Sequence, residues 1–436
     1  MRSHRTIGAW LARGVWAAAV LLALVGGQDA AEAADQTGHV KTQCEICHSG
    51  LGRTAAALPA LQFRQDVHAD KGFTCVDCHG GDPRAADKQQ AKGPSTGYRG
   101  RPTGAGIVTT CARCHSDAEL MRRYAPTQRI DQASEYATSV HARRLAAGDA
   151  RVATCISCHG AHGIRLVSDA KSPVYPLNVA TTCAACHANE AYMKGERLAG
   201  GAQLPTNQLH DYQASIHYRA LTKGNDLSAP TCNDCHGNHG AAPPGVGAVA
   251  NVCGTCHAVF AARFEQSTHK QIFDRACVEC HGNHAVQPSS DEMLGSGAKA
   301  VCVTCHSPGD NGLAAADKMR GGIERLKGDI AHARALVDRV ANQGMEVSDQ
   351  ALALGEAGNR LTLARTEIHA ANPASLDPIV AEGLAIVAGV DTAGQAALAE
   401  LRFRRKGLFG SLAAILVVVV ALGIKIRELD RARRSP

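Results

Sequence analysis

One short motif, C-x-x-C-H, occurs nine times and uses every cysteine of the chain. The sequence has 18 cysteines in 436 residues, and none is left outside these motifs. Two thiols three residues apart, followed directly by an imidazole, are the signature of covalent c-type haem attachment, with the histidine as an axial ligand. A zinc ribbon does not require a histidine after each cysteine pair, and a disulfide framework would not repeat this spacing. The sequence therefore predicts nine haems c.

Eight of the nine motifs fall into four modules of two haems each, and one leading motif precedes them. The modules span residues 63–115, 136–187, 212–257 and 264–306. The predicted attachment residues are Cys44, Cys47, Cys75, Cys78, Cys111, Cys114, Cys155, Cys158, Cys183, Cys186, Cys232, Cys235, Cys253, Cys256, Cys277, Cys280, Cys302 and Cys305. The predicted proximal ligands are His48, His79, His115, His159, His187, His236, His257, His281 and His306.

Nine further histidines are candidates for the opposite, distal face of each iron. They are His39, His68, His141, His162, His210, His217, His239, His269 and His284. Four of them recur ahead of the first motif of each module, three as S-x-H and one as D-V-H. Iron with two axial imidazoles has no open position, so it transfers electrons without binding a substrate.

Three of these candidates follow a proximal histidine by three residues. His162, His239 and His284 are too close in sequence to reach the opposite face of the same haem, so we expect each to ligate a neighbouring one. The first module has Asp82 at this place, and His39 or His210 would have to substitute there. His332 and His369 lie far from any cysteine, and we expect them on the solvated surface.

The haem-bearing segment is too short to fold around an ordinary apolar core. Nine motifs fall within residues 39–306, and aromatic residues make up only 4% of the chain. The porphyrins must replace that core, and ligation must supply folding free energy. The fold class predicted is a multihaem cytochrome c, mostly irregular with short α-helices around stacked haems and little β-structure. The formal charge of +6 does not indicate nucleic acid, because basic residues can pair with haem propionates.

The two ends of the chain predict export and membrane anchoring. Residues 1–33 resemble a secretory signal, with Arg2, Arg5 and Arg13 before a short apolar stretch. Residues 406–426 contain an apolar run long enough to span a bilayer, flanked by basic residues on both sides. Because c-type haem is attached outside the bacterial cytoplasm, we expect residues 34–310 in the periplasm and residues 427–436 as a short cytoplasmic tail.

Residues 311–405 have no cysteine and follow a helical pattern. Apolar residues spaced three and four apart predict a first helix, and a similar pattern continues beyond a turn at residues 342–348. A third helix is expected from about residue 379, after breaks at Pro373 and Pro378. The sequence predicts an all-α hairpin or three-helix stalk before the membrane segment. Spacer and partner-docking roles both remain open for it.

Residues 44–306 resemble the paired-CxxCH multihaem c-type cytochromes of anaerobic, metal- or sulfur-respiring bacteria. The sequences G-M-E-V-S at residues 344–348 and R-R-K-G-L at residues 404–408 resemble membrane-anchored members of that group. The resemblance implies a periplasmic electron carrier on the inner membrane, which exchanges electrons with the quinone pool through a partner subunit and with periplasmic redox partners. The anchor of the tetrahaem quinol dehydrogenases is N-terminal, so the resemblance does not imply direct quinol oxidation.

Two other functions are compatible with parts of the pattern. A multihaem oxidoreductase acting on nitrogen or sulfur oxyanions would need one open iron, and the missing histidine of the first module would place it at His79 or His115. A redox-sensing module would need an output domain, for which the predicted tail of about ten residues is too short. Electron transfer without chemistry of its own is the function that the sequence favours.

Overall fold

The computed structural model describes residues 41–198, 200–244 and 249–434. The predicted signal at residues 1–33, the candidate ligand His39 and the last two residues of the predicted tail lie outside these ranges. Within them, helices and irregular segments make up the fold. No strand occurs in the described residues, where the one β-bridge joins Arg197 and Gln203. The expectation of short helices with little β-structure is confirmed for this part of the chain.

Short helices carry the haem motifs. The helices of the leading motif and the first module are α1 Gln43–Ser49, α2 Leu58–Phe63, α3 Cys75–His79, α4 Lys88–Ala91, α5 Ala105–His115 and α6 Ala118–Tyr124. Those of the later modules are α7 Gln132–Thr138, α8 Val140–Ala146, α9 Cys155–His159, α10 Pro176–His187, α11 Glu190–Met193, α12 Gln208–Gln213, α13 Ile216–Lys223, α14 Cys232–His236, α15 Val249–Gly254, α16 Ala258–Phe264 and α17 Val278–His281. Single 3-10 turns cover Ala69–Lys71, Pro94–Thr96, Thr268–Gln271, Asp291–Met293, Cys302–Thr304 and Ile368–Ala370.

The sequence T-C-x-x-C-H-G folds into one local structure in the first three modules. A threonine caps a five-residue helix, and the side chain of the third helical residue accepts a hydrogen bond from the threonine backbone N–H. The glycine after the histidine has a positive φ, between 67° and 84°, and ends the helix. Both thiols and the imidazole are thus presented on one short turn.

A repeated backbone hydrogen bond joins each module to the next. The donor is the backbone N–H of the residue before the S-x-H or D-V-H histidine. The acceptor is a carbonyl of the following module, two residues after His162, His239 or His284. The three bonds are Val67 N to Ile164 O at 2.8 Å, Val140 N to Ala241 O at 3.1 Å, and Ile216 N to Val286 O at 2.8 Å. Consecutive modules therefore interlock in the same register.

Three long helices follow the haem motifs. These are α18 Asn311–Ala341, α19 Ser348–Glu367 and α20 Pro373–Arg434. The predicted apolar stripes are inside the bundle that they form. Its buried core contains Ile323, Leu326, Ile330, Ala333, Val337, Leu354, Ala357, Leu361, Ala364, Leu376, Val380, Val387 and Val390.

Helix α20 runs without interruption from the bundle into the apolar segment. The predicted break at Pro378 is wrong, because the helix continues through this residue. Its neighbours Leu376 and Val380 are buried against the other helices, and this packing offsets the lost backbone hydrogen bond. Beyond the bundle, residues 407–424 are apolar and exposed, so this one helix is long and apolar enough to cross a membrane.

Ion pairs with mostly buried carboxylates join the helical bundle to the haem-bearing part. The carboxylate of Asp291, which is 10% exposed, accepts hydrogen bonds from Arg365 Nε at 2.8 Å and Nη2 at 2.7 Å, and from Lys327 Nζ at 3.1 Å. Nearby, Arg263 Nε lies 2.9 Å from Glu367 Oε2. The three-helix segment is therefore attached to the haem region by more than a flexible link.

The central leucine of the bundle offers a test of its packing. Leu326 is fully buried, and Leu326→Ala should lower the free energy of unfolding by about 2–5 kcal/mol through lost burial and a residual cavity. Thermal unfolding of the detergent-solubilised protein, followed by far-ultraviolet circular dichroism, measures this effect. Leu352→Ala is the matched control, because Leu352 is 68% exposed and should change stability little. Equal effects of the two substitutions would contradict the packing.

A second test addresses the junction. Hydrogen bonds from Arg365, and then from Lys327, hold the pKa of Asp291 below its ordinary value although burial opposes this. A depressed carboxyl pKa contributes stability above the unfolded pKa of about 3.9, and this contribution is lost as pH falls through the folded value. Asp291→Asn should therefore cost about 1 kcal/mol at neutral pH.

The pH dependence gives this test its direction. The difference in urea midpoint between the wild type and Asp291→Asn should shrink as the pH falls below about 4. Asp274→Asn is the control, since Asp274 is an exposed carboxylate outside the junction. A difference that stays constant down to about pH 3 would contradict the role of the Asp291 charge.

Candidate functional site

Four first-motif histidines each face an imidazole from further along the chain, and the two rings are nearly parallel. His79 faces His162, with ring centroids 6.1 Å apart and planes at 16°. The equivalent pairs are His159 with His239 at 6.2 Å and 13°, His236 with His284 at 6.0 Å and 19°, and His281 with His369 at 6.2 Å and 18°. In the first three pairs the second imidazole belongs to the following module.

The four second-motif histidines pair within their own module, and their rings are turned by larger angles. His115 faces the D-V-H histidine His68, at 5.9 Å and 84°. The S-x-H histidines form the other pairs, His141 with His187 at 6.2 Å and 59°, His217 with His257 at 6.4 Å and 39°, and His269 with His306 at 6.1 Å and 57°. Two classes of imidazole pair therefore alternate along the chain.

The separation within each pair fits one metal atom between two imidazoles. A metal–imidazole bond is about 2 Å, and the ligating nitrogen lies about 1.1 Å from the ring centroid, so two rings on opposite sides of a metal are about 6 Å apart. No group of three or more His, Cys, Asp or Glu side chains that could hold a bare ion occurs in the described part of the chain. Two imidazoles beside two free thiols match the protein ligands of haem c.

Hydrogen bonds at Nδ1 leave Nε2 free in several of these histidines. His79 Nδ1 lies 2.8 Å from the carbonyl oxygen of Gly100, and His236 Nδ1 lies 3.2 Å from that of Ala242. On the distal side, His369 Nδ1 lies 3.0 Å from Thr366 O. Metal-bound histidines commonly donate their second nitrogen in this way, which fixes the tautomer and the ring orientation.

Buried serines hold the S-x-H histidines in place. The hydroxyl oxygens of Ser139, Ser215 and Ser267 accept hydrogen bonds from the backbone N–H three residues on, and so cap the turn that carries the histidine. In the D-V-H variant, Asp66 is 1% exposed and accepts from the backbone N–H and Nδ1 of His68 and from Ile164 N. In each module a capped turn therefore holds the histidine that faces the second-motif histidine.

Burial favours the neutral form of ten of the paired imidazoles, which is the form that binds a metal. It lowers the pKa of these ten, by placing the ring where a charge is poorly solvated. These are His115, His141, His159, His162, His187, His217, His269, His281, His284 and His369.

Thiols of consecutive motifs are neighbours. At three junctions a second-motif thiol donates a hydrogen bond to the first-motif thiol of the next module, and this bond lowers the pKa of Cys155 and of Cys277 to about 7. At the other junctions burial is the main cause that raises the pKa of one thiol, and the thiolate of the adjacent motif adds to this effect. In chain order the neighbours are Cys44 and Cys75, Cys78 and Cys114, Cys111 and Cys155, Cys158 and Cys186, Cys183 and Cys232, Cys235 and Cys256, Cys253 and Cys277, and Cys280 and Cys302. All 18 cysteines are free. The nine attachment sites thus follow one another in a single series.

Two of the sequence predictions require correction. The prediction of His210 as a distal ligand is wrong, because its ring is 86% exposed and lies beside Asp211 at 3.2 Å. The prediction of a solvated surface position for His369 is also wrong, because this ring is half-buried and stacked on His281. The last module has no following module to supply an imidazole, and the helical bundle supplies it instead. The sequence signal that points to His369 is that no following module can supply an imidazole to face His281.

The interpretation of position 82 also requires correction. Asp82 suggests an open iron at His79 or His115, but both histidines face an imidazole. In the other modules the residue at the equivalent position faces the first-motif histidine of the preceding module. Position 82 would therefore serve the site that precedes the first module, which is the leading motif. His48 of that motif faces no other imidazole within the described residues. Its Nε2 lies 3.4 Å from the amine of Lys92.

Comparisons with known proteins agree with the chemistry of the motifs. The family model described as cytochrome c3, a family of multihaem c-type cytochromes, matches residues 67–188. This range contains the first module from its D-V-H histidine onward and the whole second module. No curated protein and no solved structure matches the chain. The match supports covalently bound haem c and multihaem electron transfer.

Proposed function

We propose that this protein transfers electrons in the periplasm through nine covalently bound c-type haems while anchored to the inner membrane. One observation carries the proposal: eight imidazole pairs, each with one ring from a C-x-x-C-H motif, have ring centroids 5.9–6.4 Å apart. Haem iron held between two imidazoles changes oxidation state without binding a substrate.

The chain residues hold and order the cofactors. Paired thiols would attach each porphyrin. Two imidazoles would hold it, from a single module at the second-motif sites and from two consecutive units at the first-motif sites of the four modules. The neighbouring thiols place each attachment site next to the one that follows it. Ligands supplied by the following module, or by His369 in the last one, make each first-motif site depend on the unit that follows it. This arrangement supports an unbroken path from the leading motif to the fourth module.

Anchoring is supported by helix α20. Its exposed apolar stretch at residues 407–424 has basic residues on both sides, including Arg404 and Arg405 before it and Lys425 and Arg427 after it. Such a helix spans about 27 Å, close to the thickness of the bilayer interior. A bundle that ligates haem and continues into this helix would keep the haem series close to the membrane surface. A quinone-linked membrane subunit is the proposed partner on one side, and periplasmic redox proteins are the proposed partners on the other.

A second function, reduction or oxidation of nitrogen or sulfur oxyanions, requires an open iron. Both motif histidines of the first module face an imidazole, so the first module gives no support for an open iron. The leading motif, where His48 faces an amine, is the remaining place for such chemistry. Binding of cyanide, nitrite or sulfite to the oxidised protein would favour an enzyme over a carrier.

The haem count and the ligand classes test the proposed function together. Intact mass of the mature protein should show nine haems, and low-temperature electron paramagnetic resonance should show two low-spin classes. The four near-parallel pairs should give rhombic signals, and the four turned pairs should give more anisotropic ones, since the angle between axial imidazole planes controls the splitting. Fewer than eight haems, or a high-spin signal from several haems, would contradict the proposal.

His369 provides a sharper test, because it lies outside the cysteine-bearing segment. His369→Ala should leave nine haems attached and convert one of them to a high-spin form that binds carbon monoxide when reduced. His210→Ala and His332→Ala are matched controls, since these rings are 86% and 78% exposed. The assignment would be wrong if His210→Ala, and not His369→Ala, produced the high-spin haem.

A further inference from the structure

The leading motif is the one site for which the repeated pattern of the modules supplies no facing imidazole within the described residues. In three successive modules, the residue three beyond the first-motif histidine faces the first-motif histidine of the preceding module. For the leading motif this position is Asp82. The segment does lie beside the leading helix, because Gln43 N donates to Pro83 O at 2.9 Å. The Asp82 side chain is exposed and accepts from Arg84 N at 2.9 Å instead.

A lysine from the adjoining loop lies beside the leading histidine instead. Lys92 follows α4, whose N-terminus is capped by Asp87, and its amine lies 3.4 Å from His48 Nε2. Its side chain is half-buried, which is uncommon for a lysine, and the amine lies 5.4 Å from the centre of the Tyr98 ring. It is therefore directed toward the histidine and not into solvent.

The loop that carries Lys92 is fixed to the first motif of the module. Asp82 N donates to Ala91 O at 3.0 Å, and Gly81 N donates to Thr96 O at 3.2 Å. Gly81 has a φ of +98°, and a Cβ there would lie 2.8 Å from Ala91 O. This close approach requires glycine, and it sets the position of the residue that follows Ala91.

His48 is oriented as the other proximal histidines are. Its Nδ1 lies 2.8 Å from Ala56 O, so Nε2 points toward the Lys92 amine. Two nitrogen ligands on opposite sides of a metal are about 4 Å apart, given bonds of about 2 Å each. A separation of 3.4 Å therefore needs only a small opening to admit the iron.

We propose that Lys92 is the distal axial ligand of the haem attached at Cys44 and Cys47. The inference rests on the proposed function insofar as it requires haem at the leading motif. A neutral primary amine binds iron through its lone pair and, unlike imidazole, has no π system. The leading haem is then low-spin but different from the eight that have two imidazoles. Because it ends the series, one terminus of the electron path has its own ligand set.

Near-infrared magnetic circular dichroism of the oxidised protein tests the assignment, since the charge-transfer band of low-spin ferric haem depends on the pair of axial ligands. The wild type should show a histidine–amine band from one haem and bis-histidine bands from the other eight. In Lys92→Arg, which keeps the charge but cannot coordinate, this band should disappear and one high-spin haem in nine should replace it. Lys88→Arg is the matched control, because Lys88 is exposed on α4 and should leave the spectrum unchanged.

Intact mass separates failure of this inference from failure of the proposed function. Nine haems with no histidine–amine band in the wild type would overturn the Lys92 assignment and leave the haem series intact. The Lys92 assignment would also be wrong if His39→Ala, and not Lys92→Arg, produced the high-spin haem. A count of eight, with no haem at Cys44 and Cys47, would contradict the proposed count and the inference together.

Discussion

The structure depends on the need of each iron for two ligands on opposite faces. A five-residue C-x-x-C-H turn supplies one imidazole and two thiols, all on the same side, so the second imidazole must come from elsewhere in the chain. On the proposed assignment, second-motif sites obtain it from the capped S-x-H or D-V-H turn of their own module. First-motif sites of the first three modules obtain it from the next module, and the first-motif site of the fourth obtains it from His369 of the bundle. This requirement makes the modules interlock. The backbone bonds from Val67, Val140 and Ile216 repeat at the same places and hold that register.

Ligation of this kind replaces an apolar core. Few large apolar side chains are buried between residues 41 and 310, whereas the three-helix bundle has a continuous core of leucine, isoleucine, valine and alanine. The free energy that orders the first part must come largely from haem attachment and ligation. The bundle folds by ordinary burial of apolar surface. His369 links the two regimes, because this residue of the bundle faces His281 of the last module.

Much of this architecture could be predicted from the residues, and the misses have physical causes. The attachment motifs, the apolar stripes of the bundle and the neighbour-directed role of His162, His239 and His284 follow from local spacing. The stacking of the modules decides which motif histidine each of these histidines faces. Sequence spacing alone does not contain that information. His369 lies in a 3-10 turn of the bundle, which has no cysteines, so nothing local marks it as a ligand. Lys92, the ligand that we propose for the leading motif, lies in a polar loop, where a lysine is ordinarily solvated. The continuation of α20 through Pro378 depends on packing of Leu376 and Val380 against distant residues.

Imidazoles from successive modules, on this view, hold one continuous series of irons. Anomalous scattering at the iron edge, measured from crystals of the haem-loaded protein, tests this arrangement most directly. We expect nine iron positions in chain order, with His162, His239, His284 and His369 bound opposite the first-motif histidines of the preceding units. A map in which these four imidazoles bind elsewhere, or in which the irons form separate clusters by module, would contradict it.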